Sequence, residues 1–353
     1  MHNTVNCFPQ NVIYGEKALE GASKQLEGHK LFLLSDNGIK DCGILEKAKE
    51  ILNPAFVSLL NCREPRISDA QAVLEAFISS GADAMCGLGG GSVMDVAKAV
   101  AAAAGSGKKI AELIGNNTLL RSARLVLIPT TAGTGSEATC NAIFIDDADG
   151  VKKAMISAAM IPDIAVLDPE LSIGLPPAIT AFTGVDALCH CAESYISVNA
   201  NELSRAWSLR GIQLILENLP KAIANPTNLE ARQNMLFASL FGGAALRIAG
   251  TTAVHALAYP LGKRGVPHGV ANSLLFMSVM KNTIPDIEKM LPNFYELCAM
   301  IKTLPLPSIS RYSVSAAETA VLASEAMEQT RLLNNHPVKV SYETAKRIYE
   351  ELF

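Results

Sequence analysis

Asp186 and His190 stand four residues apart in Thr183–Tyr195, a run rich in Ala, Leu and Cys whose pattern predicts a largely buried helix. Residues at that spacing project from one helical face, about a turn apart. A carboxylate and an imidazole on an apolar helix each need a partner, because burying either alone is costly. Two partnerships are open: a divalent metal could bind both, or Asp186 could simply accept a hydrogen bond from His190. Two more of the six histidines fall in the unusual run Thr251–Gly269. His255 lies in an apolar helical pattern that Pro260 and Gly262 are expected to break. His268 follows a Gly/Pro-rich turn and opens the apolar segment that begins Val270-Ala271-Asn272. The others, His2, His29 and His336, have polar or terminal surroundings. One Asp and three His from two helices and a helix start make a mononuclear site. Oxygen and nitrogen donors without thiolate suit Fe(II), Zn(II), Mn(II) or Co(II). Cys189 and Cys191 flank His190, but neighbours at i±1 point away from its face, so both are read as packing.

These side chains need a scaffold, and 353 residues suit two domains rather than one core. The first half alternates short apolar strands with helical stretches, the sign of an α/β sheet. Strands are expected at Leu31–Leu34, Ala84–Leu88, Leu125–Ile128 and Ile164–Leu167, with an amphipathic helix at Ser68–Ser80. Ala142–Ile145 and Ala154–Ile156 flank the polar Asp146–Gly150 as a hairpin would. From Ala178 the pattern is helical, with candidates at 178–197, 202–222, 228–248, 252–259, 269–281, 286–301, 314–332 and 342–352. Ser341 is placed to cap the last. The expected organisation is therefore an α/β domain with a parallel sheet over 1–176, followed by an all-α domain over 177–353. No repeat or low-complexity linker separates them, so a fixed cleft is expected rather than a flexible tether.

Composition narrows the function classes. Hydrophobic residues make up 49% and charged residues 18%, with a formal net charge of −4, so nothing basic points to nucleic acid. Met1–Cys7 lacks the basic-then-apolar order of a secretory leader. No apolar run reaches membrane-spanning length; the longest, Val96–Ala104, contains Lys98. Eight scattered cysteines fit buried, reduced thiols in a cytoplasmic protein.

A second chemistry sits in the first half. Strand Ala84–Leu88 runs into Gly89-Gly90-Gly91-Ser92 and then a helix. Three glycines there let backbone N–H groups approach a pyrophosphate at the positive end of the helix. A plain tight strand-to-helix turn is the other reading. The run is not G-x-G-x-x-G, since Met94 takes the place of the third glycine. Asp36, at the end of the first strand, is placed to accept from a ribose 2′-hydroxyl. Its charge would repel a 2′-phosphate, favouring NAD(H) over NADP(H). The alternative is a turn aspartate before Asn37-Gly38.

Asp186-x-x-x-His190, then His255-Ala256-Leu257-Ala258 and Pro267-His268-Gly269, resembles the metal site of the iron-containing (group III) alcohol dehydrogenases. The run Gly89–Lys98 is similar to the GGGS-x-x-D-x-x-K segment of that superfamily, and the resemblance covers nearly the whole chain. It implies the dehydroquinate synthase-like architecture, with Asp186, His190, His255 and His268 as the four metal ligands for Fe(2+), or alternatively Zn(2+). It implies that Gly89, Gly90, Gly91 and Ser92 bind the phosphates of NAD(H), with Asp95 near the nicotinamide. Asp36 matches the family's position for the ribose acceptor. Pro129–Glu137 resembles the loop that contacts adenine and ribose; Thr130, Thr131, Thr139 and Asn141 carry over as contacts, and Lys152 as a further one.

The implied reaction interconverts a small primary alcohol and its aldehyde by direct hydride transfer, with the metal as Lewis acid. A homodimer or larger homo-oligomer is implied as well. Related alternatives are maleylacetate reductases, zinc glycerol dehydrogenases and lyases of the dehydroquinate synthase type. The lyases need a phosphate-binding set rich in Lys, Arg and His that this chain does not assemble. A nucleotide-binding protein without turnover would have no use for an open metal position. The chain departs from the family in two places: Glu64-Pro65-Arg66 stands where many members have Asn-Pro, and Tyr259 where many have a second histidine. Four residues after His255, Tyr259 faces the same side, either as a hydrogen-bond donor or as a wall of the pocket. Arg247, just upstream, either favours a substrate with a remote anionic group or is a snorkelling surface arginine.

Overall fold

The computed structural model describes residues 8–61, 64–116 and 118–353. Met1–Cys7, where no leader pattern is expected and His2 lies, fall outside the described residues. The chain forms two compact units. Met1–Thr131 and Gly135–Gly174 make the first; Leu175–Phe353, joined by Ala132–Thr134, make the second.

The first unit is built on a sheet of six parallel strands. In chain order these are β1 (Asn11–Tyr14), β2 (Leu31–Asp36), β3 (Phe56–Leu60), β4 (Ala84–Gly89), β5 (Arg124–Pro129) and, after a hairpin, β8 (Ile164–Leu167). The hairpin, β6 (Asn141–Ile145) and β7 (Lys152–Ile156), is antiparallel, as its polar turn predicts. The spatial order is β1-β8-β5-β4-β2-β3. Helices α1 (Ala18–Gln25), α2 (Asn37–Asp41), α3 (Ile44–Leu52), α4 (Ile67–Ser80), α5 (Gly91–Ala103) and α6 (Ile110–Leu113) complete the unit. Successive residues of β2 alternate between two cores: Leu31 and Leu33 pack with α1 and α3, Phe32 and Leu34 with α4 and α5. Burial on both faces explains the near-continuous apolar runs of the central strands. The sequence reading passed over β1 and β3. Among the described residues both are the outermost strands of the sheet, and residues such as Tyr14 and Val57 are exposed, so the apolar signal is diluted.

The second unit is helical. Its elements are α7 (Pro177–Ile196), α8 (Glu202–Ala224), α9 (Leu229–Ala249), α10 (Ala253–Gly262), α11 (His268–Thr283), α12 (Ile287–Met290), α13 (Phe294–Thr303), α14 (Thr319–Met327), α15 (Thr330–Leu333) and α16 (Tyr342–Glu350). Asn201, Asn228 and Ser341 cap α8, α9 and α16 through their side chains. Two expected helices are divided. The stretch 286–301 breaks between α12 and α13 near Asn293, which holds a left-handed φ of 61°. The stretch 314–332 becomes a 3-10 turn at Ala316–Glu318 followed by α14 and α15. Conversely, α10 runs through Pro260 to Gly262 instead of stopping at the proline. An interior proline costs about 3 kcal/mol. Full burial of Leu257 and Leu261 offsets that, at about 1.5–3 kcal/mol each. Helices α9 and α10 meet at 104° across Gly250–Thr252, which turns His255 inward from the start of α10. No single helix among the described residues is long and apolar enough to cross a membrane.

Candidate metal centre

Three helices of the second unit bring the four predicted side chains together. Asp186 and His190 come from the middle of α7, His255 is the third residue of α10, and His268 is the first of α11. One oxygen or nitrogen atom from each lies within 4.8 Å of the others. Asp186, His190 and His255 are buried, whereas the His268 side chain is 33% exposed and forms the accessible side of the cluster.

Hydrogen bonding fixes which ring nitrogens face inward. His190 Nδ1 lies 3.2 Å from the carbonyl oxygen of Gly133. His255 Nδ1 meets the Glu193 carboxylate. A carbonyl and a carboxylate only accept, so each Nδ1 carries a proton, and in the neutral ring the Nε2 then presents a lone pair. Those two Nε2 atoms face one another at 3.1 Å. The amide nitrogen of Asn272 donates to Asp186 Oδ1 at 2.6 Å and lies 3.2 Å from Nε2 of both His255 and His268. One amide has two protons for these three acceptors, and its own Oδ1 is buried without a partner. The cluster therefore has more lone pairs than donors, the imbalance that a bound cation corrects. One carboxylate and three imidazoles fit a first-row divalent ion. Burial pushes the Asp186 carboxyl up, but His190, His268, His255 and Asn272 bring it below its ordinary value. Burial drives His190 down, while at His255 the carboxylate of Glu193 outweighs burial and raises it.

Some of this surrounding was not read from the sequence. Glu193 lies three residues beyond His190 on α7, and Asn272 four beyond His268 on α11, so both share a face with a cluster member. That spacing was the available signal. His336 was expected in polar, terminal surroundings. It is instead buried between the hydroxyls of Thr252 and Thr283, and burial pushes it down to about 4. Tyr259 packs against the helical core, and burial raises its phenol, which stays protonated. Arg247 is half-buried, and its Nη1 has no hydrogen-bond partner. Cys189 and Cys191 are buried, with thiols pushed up by burial, and each faces a backbone carbonyl.

The first unit gathers the residues expected at a dinucleotide in two groups. Asp36, Gly89 and Thr130 lie at the C-terminal ends of β2, β4 and β5, the end of an open α/β sheet where ligands bind. Thr130 N donates to Gly89 O at 3.0 Å. A Cβ on Gly89 would stand 2.8 Å from Val93 Cγ2 and 3.3 Å from Asp36 Oδ2, so only glycine fits this turn. Gly90, Gly91 and Ser92 open α5, and no side chain caps that helix. Thr131 Oγ1 lies beside Gly90, 3.6 Å from where a Cβ would be. Asp36 Oδ1 accepts from Ile39 N at 3.0 Å, so it caps α2 as well as facing the glycine turn.

The second group surrounds Lys98, which is wholly buried. It donates to Ser136 O, Thr139 Oγ1 and Asn141 O and pairs with Asp95 at 3.1 Å. Asp95 also accepts from Ser136 Oγ and Ile143 N. The structure therefore gives Asp95 and Thr139 a part in holding the loop. Lys152 is engaged by Glu64 at 2.7 Å, one of the residues that departs from the family pattern.

Comparison with known proteins adds to this geometry. Residues 9–169 match the family model described as iron-containing alcohol dehydrogenase, and residues 180–303 match the C-terminal model of the same family. Alcohol dehydrogenase 4 of Saccharomyces cerevisiae is 31% identical over 98% of this chain and 97% of its own length. The 1,3-propanediol dehydrogenase of Klebsiella pneumoniae is 36% identical over 81% of this chain and 75% of its own. The crystal structure of a 1,3-propanediol oxidoreductase superposes with a TM-score of 0.90 at 29% identity, covering 99% of this chain and all of that one. Both halves of the fold and nearly the full length agree: the chain belongs to the iron-containing alcohol dehydrogenase family.

Proposed function

We propose that this chain interconverts a small primary alcohol and its aldehyde with NAD(H), using one divalent cation held by Asp186, His190, His255 and His268. The observation that carries the reading is the pair of Nε2 atoms turned towards each other at 3.1 Å beside a buried carboxylate, with one donor atom from each of the four residues within 4.8 Å of the others. The donor set accommodates iron(II) and zinc(II) alike; membership of the iron family makes iron(II) the first choice. When bound, the cation supplies Lewis acidity towards the alcohol or carbonyl oxygen, and the nicotinamide exchanges hydride with the substrate carbon.

The chain's own residues do the rest. Gly133 O and Glu193 keep the His190 and His255 protons on Nδ1, so both Nε2 atoms stay free to donate. Asn272 holds Asp186 through one carboxylate oxygen. Tyr259, protonated, serves as a hydrogen-bond donor beside the substrate. The uncapped start of α5 and the glycine turn take the dinucleotide phosphates, with Asp36 on the ribose. The reading includes a cytoplasmic homo-oligomer. The six described cysteines are free thiols, as the cytoplasmic part of the reading expects. Metal analysis of anaerobically prepared protein, joined to NADH oxidation over a panel of aldehydes, tests the proposal. It predicts bound metal and aldehyde-dependent oxidation; metal-free protein with full activity would overturn it.

A further inference from the structure

Glu193 is fully buried, yet it carries a carboxylate. An ionised carboxyl survives in such a place only if several donors converge on it. Here they do. Oε1 accepts from Thr252 N at 2.9 Å, Thr252 Oγ1 at 2.8 Å, Val254 N at 2.8 Å and His255 N at 3.4 Å. The N–H groups are those of the N-cap Thr252 and of Val254 and His255 in the first turn of α10, which has no side-chain cap of its own from Thr252. A carboxylate from α7 thus closes the positive end of α10 and satisfies N–H groups that would otherwise be buried unpaired. Its other oxygen, Oε2, accepts the hydrogen bond of His255 Nδ1–H.

The arrangement continues outward. Thr252 has one hydroxyl proton and gives it to Glu193, so its oxygen must accept from His336 Nδ1, 3.2 Å away. His336 is itself buried, with Nε2 2.8 Å from Thr283 Oγ1.

We propose that Glu193 is a positioning residue of the metal centre, which at once caps α10 and fixes the tautomer of His255, with Thr252 and His336 holding the carboxylate in place. The proposal rests on the four-residue metal reading given above. It follows from two facts: the same carboxylate grips both the backbone that carries His255 and the ring itself. Rotation of the ring, or transfer of its proton to Nε2, would remove the lone pair that faces His190.

Glu193→Gln is the discriminating change. The glutamine amide has the size of the carboxylate, but with its oxygen on the α10 amides its NH2 faces His255 Nδ1. The histidine proton is then displaced to Nε2. The measurement is the affinity of metal-depleted protein for Co(2+), read by chelator competition and by the visible absorption of the bound ion, with circular dichroism as the check on folding. Affinity should fall about 10- to 100-fold, the usual cost of losing a partner of a ligating histidine, and the spectrum should shift. A folded Glu193→Gln protein with wild-type affinity and spectrum overturns the proposal.

His268→Ala measured alongside separates the two readings. If it too binds Co(2+) like the wild type, the metal centre itself is misassigned. If it loses the metal while Glu193→Gln does not, only the role of Glu193 fails. Should Glu193→Gln not fold, nitrogen NMR of the wild-type protein loaded with Zn(2+) and labelled in its histidines decides. A proton on His255 Nδ1 with a ligated Nε2 supports the proposal; a bare Nδ1 overturns it.

Discussion

Four side chains spread over 83 positions meet because one helical spacing and two helix starts aim them at one point. That much was legible: an Asp and a His four apart on an apolar helix announce a shared partner whatever the fold. Glu193, Asn272 and His336 were not: helical spacing puts the first two on a face with a cluster member, but the roles of all three depend on contacts 17 to 84 positions away. His336 looks like a surface histidine until Thr252 and Thr283 are seen to enclose it. At this scale His268→Ala should leave the fold intact, since the side chain is partly exposed and begins its helix. Metal affinity should drop by more than about 100-fold, beyond the usual effect of an outer partner. Elemental analysis after dialysis checks it. Tyr259→Phe should keep the metal and lower kcat for aldehyde reduction about tenfold, the worth of one hydrogen bond of about 1.4 kcal/mol. Unchanged kcat would reduce Tyr259 to packing.

The loop that follows β5 ties local sequence to both chemistries. Thr130 bonds to the glycine turn, and three residues later Gly133 gives its carbonyl to His190. Gly133 has no room for a side chain: a Cβ would stand 2.9 Å from Thr183 Cβ and 3.0 Å from Thr183 O. Gly133→Ala should therefore displace the carbonyl, free His190 to change tautomer, and weaken Co(2+) binding about 10-fold or more. Equal binding would show that His190 needs no such anchor. The hydroxyl-rich composition of this loop was readable as a binding loop, but not its carbonyl, since every residue has one.

The same loop holds Glu137, fully buried with neither carboxylate oxygen hydrogen-bonded to a neighbour. Burial pushes it up to about 7, against its own backbone N–H and the charge of Lys98. Between its ordinary value and about 7 the native state holds a proton that the unfolded chain has released. This contribution to stability is present at low pH and is lost as pH rises through 7. Glu137→Gln should consequently gain on the wild type between pH 5 and 8, by at most roughly 3 kcal/mol in chemical denaturation. A difference independent of pH would show Glu137 ionised throughout.

On the scale of the whole molecule, the division into an α/β half and a helical half follows from periodicity alone. Strands buried on both faces and helices with one apolar stripe leave different signatures. What periodicity misjudged were sheet edges and short helices, where half the environment is solvent. Asp36, at the end of β2 beside the glycine turn, sets the cofactor preference proposed for the molecule. NADH should be used in preference to NADPH, and Asp36→Gly should narrow the ratio of kcat/KM values. Loss of the side-chain cap on α2 would cost only about 0.3 kcal/mol besides, since glycine is itself tolerated at an N-cap. A wild type that prefers NADPH would leave Asp36 as a cap only.

One cation held by Asp186, His190, His255 and His268 is proposed to make this chain an NAD-dependent alcohol dehydrogenase. That role is tested most directly by titrating metal-depleted protein with Fe(2+) under anaerobic conditions while following NADH oxidation by an aldehyde. Activity should rise linearly to a plateau at one equivalent per chain, with no such rise in Asp186→Asn. Full activity before any metal is added, or the same titration in Asp186→Asn as in the wild type, would contradict it.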